Sequence, residues 1–189
     1  MIPDVIDGAS ESEYLSLDNS AQIKYEYING QIIAMAGASP EHNQIQGNII
    51  GSLWNQIRSG NKNCDALGSD QRLRATLDKD NSYTYPDVAM FCDEFTERDG
   101  ATLTNPVLIV EILSDETEKI DRGKKWDKYR RIQTLKNYIL VSQNEKKVEV
   151  YSRMNSKWQY ECETEGSISL NGLNMSLDLD ELYYRVKVV

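Results

Sequence analysis

The chain of 189 residues contains a single histidine, His42. Chemistries that use two or three imidazoles as metal ligands or proton relays therefore cannot be assembled within one chain. A serine or cysteine triad would need His42 as its base, and no GxSxG sequence accompanies it. Any catalysis must therefore depend on carboxylates, lysines or tyrosines.

Cysteine is also scarce. The three cysteines Cys64, Cys92 and Cys162 are odd in number, far apart and free of any CxxC spacing. This pattern indicates neither a disulfide framework nor a zinc site. We expect three small apolar side chains in a reducing compartment.

Long hydrophobic runs are absent as well. No apolar stretch approaches the ~20 residues that a membrane-spanning helix needs, and the acidic, polar N-terminus "MIPDVIDGASESEY" does not resemble a signal peptide. We therefore expect a cytoplasmic protein without a membrane segment. Hydrophobic residues make up 40% of the chain and charged residues 27%, which is typical of a folded globular protein. At this length we expect one domain, residues 1–189.

The formal net charge of -9 argues against a protein that coats nucleic acid. Such binding releases counterions through a surface on which Lys and Arg dominate. A local basic face is still compatible with this charge. A nucleic-acid partner must therefore be argued from a particular site.

Three local signals predict secondary structure near the N-terminus. Ser10, followed three residues later by Glu13, is typical of a capping box at the start of a helix. Asn29-Gly30 predicts a tight hairpin within "KYEYINGQIIAM", with Glu26 facing the other side of its strand from the neighbouring tyrosines. Apolar residues at helical spacing predict a helix that begins at Pro40, after Ser39 as the cap, and ends before Gly60.

The rest of the chain indicates strands around one further helix. Strands are predicted within residues 64–77 and 82–92, with "DKDN" as the turn between them. "PVLIVEIL" is typical of a strand buried on both faces. "DRGKKWDKYRRIQ" predicts a helix, and "KNYILVSQ" and "KKVEVYSR" predict two strands; short strands and a final helical turn follow. This order predicts an α/β or α+β fold with a mixed central sheet flanked by helices.

Asp87 and Glu111 are acidic residues in two of these strand-like apolar segments. An ionised carboxylate in a buried strand costs several kcal/mol unless it is paired or binds a metal. If their strands are neighbours, the two carboxylates could bind one Mg²⁺, with the backbone carbonyl of Ile112 as a third ligand. The alternative is that each acid forms an ordinary buried ion pair.

Lys125 is the candidate third member of the site. Asp121 lies one helical turn before it and Tyr129 one turn after it, so one face would present an ammonium and a phenol together. A lysine beside a metal-bound water can orient the nucleophile or stabilise charge on a phosphate oxygen. The alternative is a solvated basic face with Trp126 and Tyr129 packed inward.

The order of these residues resembles the PD-(D/E)xK superfamily of restriction-endonuclease-like phosphodiesterases, because Glu111 follows Pro86-Asp87 after 24 residues. The segments "YEYINGQIIAMAGASPEHNQI", "YPDVAMFCD", "NPVLIVEILS" and "DRGKKWDKYRRI" with "YILVSQ" are similar to the Uma-type endonuclease family abundant in cyanobacteria. The resemblance extends from about Tyr25 to Tyr151. It implies a restriction-endonuclease-like core and metal-dependent hydrolysis of DNA phosphodiesters.

By this resemblance, Asp87 and Glu111 match the metal-binding acids, and Glu26 matches an upstream acid that assists the metal site. The superfamily expects a lysine two residues after the second acid, where this chain has Leu113. In the Uma-type group the matching lysine is Lys125, on the following helix.

Other residues have less definite roles. Lys124 is the alternative lysine, although it points about 100° away on the helix. His42 lies in a matching segment without a catalytic role, so that capping or core packing is expected. Ser69 and Asp70 could line the same cleft or form a plain loop.

These observations predict a DNA endonuclease that depends on Mg²⁺ or Mn²⁺ and uses Asp87, Glu111, Glu26 and Lys125. Tyr129, Lys124, Asp70 and His42 are its accessory candidates. A homodimer would let two sites cut both strands of a duplex. The alternative function is a catalytically silent nuclease-fold protein that binds DNA or another protein.

Overall fold

The computed structural model describes residues 5–77, 80–97 and 99–188. Its elements in chain order are β1 (Val5–Asp7), α1 (Glu11–Ser20), β2 (Tyr25–Ile28), β3 (Gln31–Ala34), α2 (Pro40–Ser59), β4 (Cys64–Gly68), β5 (Arg72–Leu77), β6 (Asp80–Thr84), β7 (Val88–Cys92), β8 (Thr102–Leu103), β9 (Leu108–Leu113), α3 (Glu118–Ile120), a π-helical turn (Asp121–Lys125), α4 (Trp126–Tyr129), β10 (Asn137–Ser142), β11 (Val148–Met154), β12 (Lys157–Glu163), β13 (Ser167–Leu170), β14 (Met175–Asp178) and α5 (Leu179–Leu182).

The local signals near the N-terminus are confirmed. Ser10 and Glu13 form a reciprocal capping box at the start of α1. Asn29 and Gly30 both have positive φ, 54° and 75°, as a type I′ hairpin between β2 and β3 requires. Ser39 caps α2 by accepting a hydrogen bond from the backbone N–H of His42. Turn and cap chemistry therefore sets these boundaries.

A central six-stranded sheet has the order β12-β11-β10-β9-β7-β4. β9 and β10 are parallel and are connected through the helical segment 118–129, whereas the other neighbours are antiparallel. All six residues of β9 are buried. The sheet is therefore mixed and flanked by helices, as predicted.

Helix α2 covers one face of the central sheet. Ile45, Ile49, Leu53 and Ile57 form its buried stripe, and they pack in one cluster with the even-numbered residues of β9 and with the C-terminal hairpin. Its remaining surface is more polar. Among the helices in the described ranges, none is long and apolar enough to cross a membrane.

A second six-stranded sheet, of order β1-β3-β2-β6-β5-β8, is called here the N-terminal sheet. The predicted strand segments 64–77 and 82–92 each form two strands, one in each sheet, and the predicted turn at 78–81 falls partly outside the described residues. The chain crosses between sheets at Ser69-Asp70 and again at Tyr85-Pro86-Asp87. Pro86 lacks the N–H that would continue a ladder, so a break here follows from its chemistry.

The predicted helix 121–133 lies at 118–129 and contains a π-helical turn, Asp121–Lys125. Its buried side packs on the other face of the central sheet, where Tyr129 contacts the cluster that contains Ile109 and Leu113 of β9. π turns within helices occur frequently at functional sites. This segment therefore faces the odd-numbered side of β9, where Glu111 lies.

The expectation for the cysteines was wrong. Cys64 and Cys92 form a disulfide, and Cys162 is free and exposed. The antiparallel pairing of β4 with β7 places Cys64 directly opposite Cys92. The two residues are 28 positions apart, so only the strand register brings them together. Spacing in the sequence could not indicate it.

Substitution Leu53→Ala is expected to lower the free energy of unfolding by about 2–5 kcal/mol, because Leu53 is fully buried between α2 and the central sheet. Asn55→Ala, on the exposed side of the same helix, is the control and should change it by less than about 0.5 kcal/mol. Urea unfolding followed by circular dichroism measures both. Equal effects would contradict the placement of the α2 stripe.

Candidate active site

A cleft of about 700 Å³ lies where the two sheets meet the helical segment 118–129. The side chains of Glu26, Asp87, Glu111 and Lys125 all line it, so the structure brings together the four principal predicted residues. β2 supplies Glu26, β9 supplies Glu111, the π turn supplies Lys125, and Asp87 lies at the crossing between sheets. Residues from four distant parts of the sequence therefore converge.

The pairing of β7 with β9 explains why the two acids meet. Val88 pairs with Val110 in the antiparallel register, so Asp87 and Glu111 continue that alignment at the adjacent position. The backbone N–H of Asp87 lies 3.4 Å from Glu111 Oε2, a long hydrogen bond. The premise that their strands are neighbours is therefore confirmed.

Asp87 is held by the backbone and by helix α2. The Ile112 N–H donates to Asp87 Oδ2 at 2.7 Å, and His42 Nε2 lies 2.9 Å from Asp87 Oδ1. Gln46 donates to the Asp87 carbonyl oxygen at 2.7 Å. It is thus the amide of Ile112 that bonds Asp87, and the expected metal contact of the Ile112 carbonyl stays a prediction. His42 contacts the site directly through Asp87.

Glu111 is 2% exposed and has strong hydrogen-bond partners. Its Oε1 lies 3.0 Å from the Tyr129 hydroxyl and 3.2 Å from Lys125 Nζ. The Tyr129 hydroxyl also lies 2.8 Å from Thr84 Oγ1, at the end of β6. Among the described residues, Glu111 Oε2 has only the long contact with the Asp87 N–H, which leaves this oxygen available to a further ligand on the side of Asp87.

Lys125 is surrounded by carboxylates. Its Nζ lies 3.0 Å from Glu26 Oε1, 3.1 Å from Asp121 Oδ1 and 3.2 Å from Glu111 Oε1. Glu26 Oε1 also accepts the Tyr85 N–H at 3.0 Å. All four side chains are less than a tenth exposed. Three buried acids therefore share one buried ammonium.

Burial and mutual repulsion affect how these groups ionise. Burial raises the pKa of Glu111 well above its usual value; Lys125 opposes the shift, whereas Asp121 and Asp87 increase it. Burial likewise raises the pKa of Glu26 against the opposing charge of Lys125. Burial alone would lower the pKa of Lys125, but the nearby carboxylates outweigh it and raise that pKa. Lys125 is therefore a permanent cation at neutral pH.

Three accessory candidates lie outside the cleft lining: Lys124, Asp70 and Tyr129. Tyr129 nevertheless contacts the site, through its hydrogen bond to Glu111. The exposed Lys124 ammonium contacts the Gln31 side chain, away from the carboxylates. Asp70 is fully exposed and pairs with Lys24 at 2.8 Å, although its neighbour Ser69 lines the cleft. Adjacent positions therefore differ completely: Lys125 faces the acids, whereas Lys124 faces the surface.

The sequence analysis did not assign Asp121 or Gln46 to the site, although both contact its residues. Asp121 is 2% exposed, and its Oδ1, although close to Lys125, has no hydrogen-bond partner among the described residues. Gln46 fastens the backbone at Asp87. Helical spacing could have indicated both residues. Gln46 lies four positions after His42, and Asp121 lies four positions before Lys125, so each pair shares one face of its helix.

Asp87 and Glu111 are the side chains that could hold a divalent cation. Within the described ranges, no three or more His, Cys, Asp or Glu side chains form a ready-made metal cage. The donor chemistry nonetheless fits Mg²⁺, which commonly uses one or two carboxylates and completes its shell with water and substrate phosphate. The surplus of carboxylates over ammonium groups in the cleft also suits a cation.

The mixed sheet and its flanking helices form a restriction-endonuclease-like fold. A crystal structure described as "a putative nuclease belonging to DUF820" from Anabaena variabilis ATCC 29413 superposes with a TM-score of 0.70 at 19% identity; the match covers 91% of this chain and 96% of the other. The chain belongs to the Uma2 family, described as "Putative restriction endonuclease", whose model matches residues 11–180. The predicted family and fold class are confirmed.

Two relatives come from Synechocystis sp. (strain ATCC 27184 / PCC 6803 / Kazusa). The uncharacterized protein slr1290 is 31% identical over 176 residues, which cover 92% of this chain and 90% of the relative. The uncharacterized protein sll1609 is 36% identical over 148 residues, which cover 77% of this chain and 81% of that protein. Family membership thus extends over nearly the whole chain.

Substitution Glu111→Gln is expected to stabilise the metal-free protein at pH 8. A carboxyl whose folded-state pKa is raised loses stability as pH rises above its ordinary value of 4.5, and glutamine has no such loss. We therefore expect Glu111→Gln to raise the free energy of unfolding at pH 8 and to reduce its fall between pH 4 and pH 8. Urea unfolding in EDTA across pH 4 to 8 measures it.

The matched control is Glu149→Gln. Arg122 lowers the pKa of Glu149 through a two-pronged ion pair, so this carboxylate contributes stability above pH 4.5 that is lost as pH falls. Its substitution should destabilise the protein at pH 8. A loss of stability in both variants at pH 8 would contradict the charge strain assigned to Glu111.

Proposed function

We propose that this protein is a divalent-metal-dependent phosphodiester hydrolase that cleaves DNA. One observation carries the proposal: Asp87 and Glu111 meet across β7 and β9 in an open cleft, with the Lys125 ammonium 3.2 Å from Glu111. Membership of a family described as "Putative restriction endonuclease" supports a nuclease. The finer assignment of metal, substrate and residue roles is our inference from the geometry.

Asp87 and Glu111 would hold Mg²⁺ or Mn²⁺, and Glu26 would support them through Lys125. When bound, the cation would supply Lewis acidity at the scissile phosphate. His42 and the Ile112 N–H would keep the Asp87 carboxylate oriented, as groups behind metal ligands commonly do. Tyr129 would orient Glu111 from the opposite side.

Lys125 would act through its charge. Because nearby carboxylates raise its pKa, the ammonium keeps its proton at neutral pH and is a poor general base. A fixed positive charge at the cleft can stabilise negative charge that develops on a phosphate oxygen. We therefore assign Lys125 to electrostatic stabilisation, and we assign no catalytic role to the exposed Lys124.

One observation favours the alternative of a catalytically silent module that binds DNA or protein. The three carboxylates around Lys125 already neutralise its charge, so it has little left to offer a phosphate. Titration with Mg²⁺ or Mn²⁺ and a thermal-shift readout separates the two functions, because a ligand that binds the folded state stabilises it by mass action. A site that binds neither ion would favour the silent module.

DNA cleavage tests the proposed residues directly. Purified protein is expected to nick supercoiled or single-stranded DNA with Mg²⁺ or Mn²⁺ and not with EDTA. Asp87→Asn, Glu111→Gln and Lys125→Met should each lower the rate by about 100-fold or more, because each removes a group that we propose to act on the reacting phosphate. Folding of every variant is checked by circular dichroism.

Lys124→Met is the matched control for Lys125→Met, because it makes the same change at the adjacent, exposed position. It should keep the wild-type kcat. Wild-type activity in Asp87→Asn or Glu111→Gln would refute the site, and equal losses in both lysine variants would refute the role of Lys125. Activity that persists in every variant would reveal a contaminating nuclease.

His42→Ala is expected to raise the Mg²⁺ concentration for half-maximal cleavage by about 10–100-fold, because the imidazole positions Asp87. Gln44→Ala, on the exposed side of the same helical turn, serves as the control and should leave that concentration unchanged. An unaltered Mg²⁺ requirement in His42→Ala would show that His42 only packs beside the site.

A further inference from the structure

Strand β12 is a free edge of the central sheet. It pairs with β11 along all seven residues, without a bulge, and none of the described strands lies on its other side. In the described part of the chain, its backbone makes no hydrogen bond outside that ladder. All of its side chains except Trp158 are exposed. Long regular edge strands invite pairing with another chain, and β12 contains no proline to prevent it.

The turn before β12 determines which backbone groups point outward. Met154 pairs with Lys157 across the two-residue turn Asn155-Ser156. The pair that closes such a hairpin exchanges both of its hydrogen bonds, and bonding then alternates along the strand. Lys157 and every second residue after it therefore bond to β11. The N–H and C=O groups of Trp158, Tyr160 and Cys162 face outward.

We propose that β12 pairs antiparallel with β12 of a second copy of this chain, about a two-fold axis that passes beside Tyr160. In this register each outward-facing residue meets an outward-facing residue: Tyr160 meets the second Tyr160, and Trp158 meets Cys162. Both members of each pair can then exchange N–H···O bonds. The two central sheets become one continuous sheet, and the interface is isologous.

The charges of β12 are complementary to themselves in this register. Lys157 lies opposite Glu163 of the second copy, and the two-fold axis repeats the pair. Opposite charges directly across a sheet stabilise the pairing, and like charges weaken it. A two-residue shift in one direction places Glu161 opposite itself. The same shift in the other direction places Lys157 opposite Glu161 but leaves Glu163 beyond the paired strand. The register centred on Tyr160 is the one that pairs all seven residues of both strands.

Tyr160 is a suitable centre for such an interface. It is 52% exposed, which makes it one of the most exposed large hydrophobic side chains of the described residues. Its ring lies 5.2 Å from that of Tyr151, and its hydroxyl donates to Glu149 at 3.0 Å, so its orientation is already set. A rigid exposed aromatic at the middle of a patch is typical of residues that dominate binding energy.

A second copy matches this edge better than an unrelated strand does. When β12 lies antiparallel to itself, the lysine at one end meets the glutamate at the other end in both halves of the interface. The inference does not depend on the proposed nuclease activity, since no residue of the cleft lies on β12. Failure of DNA cleavage would therefore leave it standing, and a monomeric protein would leave the cleavage proposal standing.

Sedimentation equilibrium of the full chain, in EDTA and without DNA, tests the pairing. The wild type is expected to be a dimer. Lys157→Glu and Glu163→Lys should each weaken dimerisation by on the order of tenfold, because each turns two opposite-charge pairs into like-charge pairs. The double variant Lys157→Glu/Glu163→Lys should regain the wild-type dissociation constant, because it swaps the charges and restores both pairs.

Two controls address general charge effects and register. Lys187→Glu makes the same charge change at an exposed position away from β12 and should not alter dimerisation. Lys157→Glu/Glu161→Lys should recover much less than the double variant with Glu163→Lys. A monomeric wild type would overturn the proposal. So would a dimer that is insensitive to Lys157→Glu, or one that Glu161→Lys restores as well as Glu163→Lys does.

Discussion

The buried ammonium of Lys125 is the group on which the candidate site depends. Glu26, Glu111 and Asp121 come from β2, β9 and the π turn, and all three carboxylates contact it within 3.2 Å. Without that cation, their burial would leave uncompensated charges in a region of low dielectric, which typically costs 3–5 kcal/mol. One side chain therefore makes it possible for an acidic cleft to exist between the two sheets.

This arrangement leaves the site electrostatically strained. One ammonium cannot balance three carboxylates together with Asp87, and burial raises the pKa values of Glu111 and Glu26 further. Strain of this kind is common where function requires a charge distribution that does not favour stability. The rigid supports of Asp87, namely His42 and the Ile112 N–H, keep the carboxylate in place despite the repulsion.

Much of the architecture follows from local chemistry that can be read along the chain. The Ser10 capping box, the Asn29-Gly30 hairpin and the Ser39 cap each depend on residues a few positions apart, so sequence patterns predict them. The disulfide of Cys64 with Cys92 does not follow in this way, because it depends on the register of two strands. For the same reason, the predicted strand segments 64–77 and 82–92 could not each be recognised as two strands in different sheets.

The candidate site likewise has features that local sequence predicts and features that depend on the tertiary structure. The sequence alone indicated that Glu111 lies in an apolar strand and Asp87 beside one, where an unused carboxylate would be costly, and that a lysine follows on a helix. Tertiary structure alone decided that Lys125 faces the acids while Lys124 faces the surface. It also decided that Asp121 and Gln46 line the cleft, whereas Asp70 lies outside it. The physical reason is that propensity and burial are local properties, whereas convergence depends on strand pairing and on the helical phase set by the π turn.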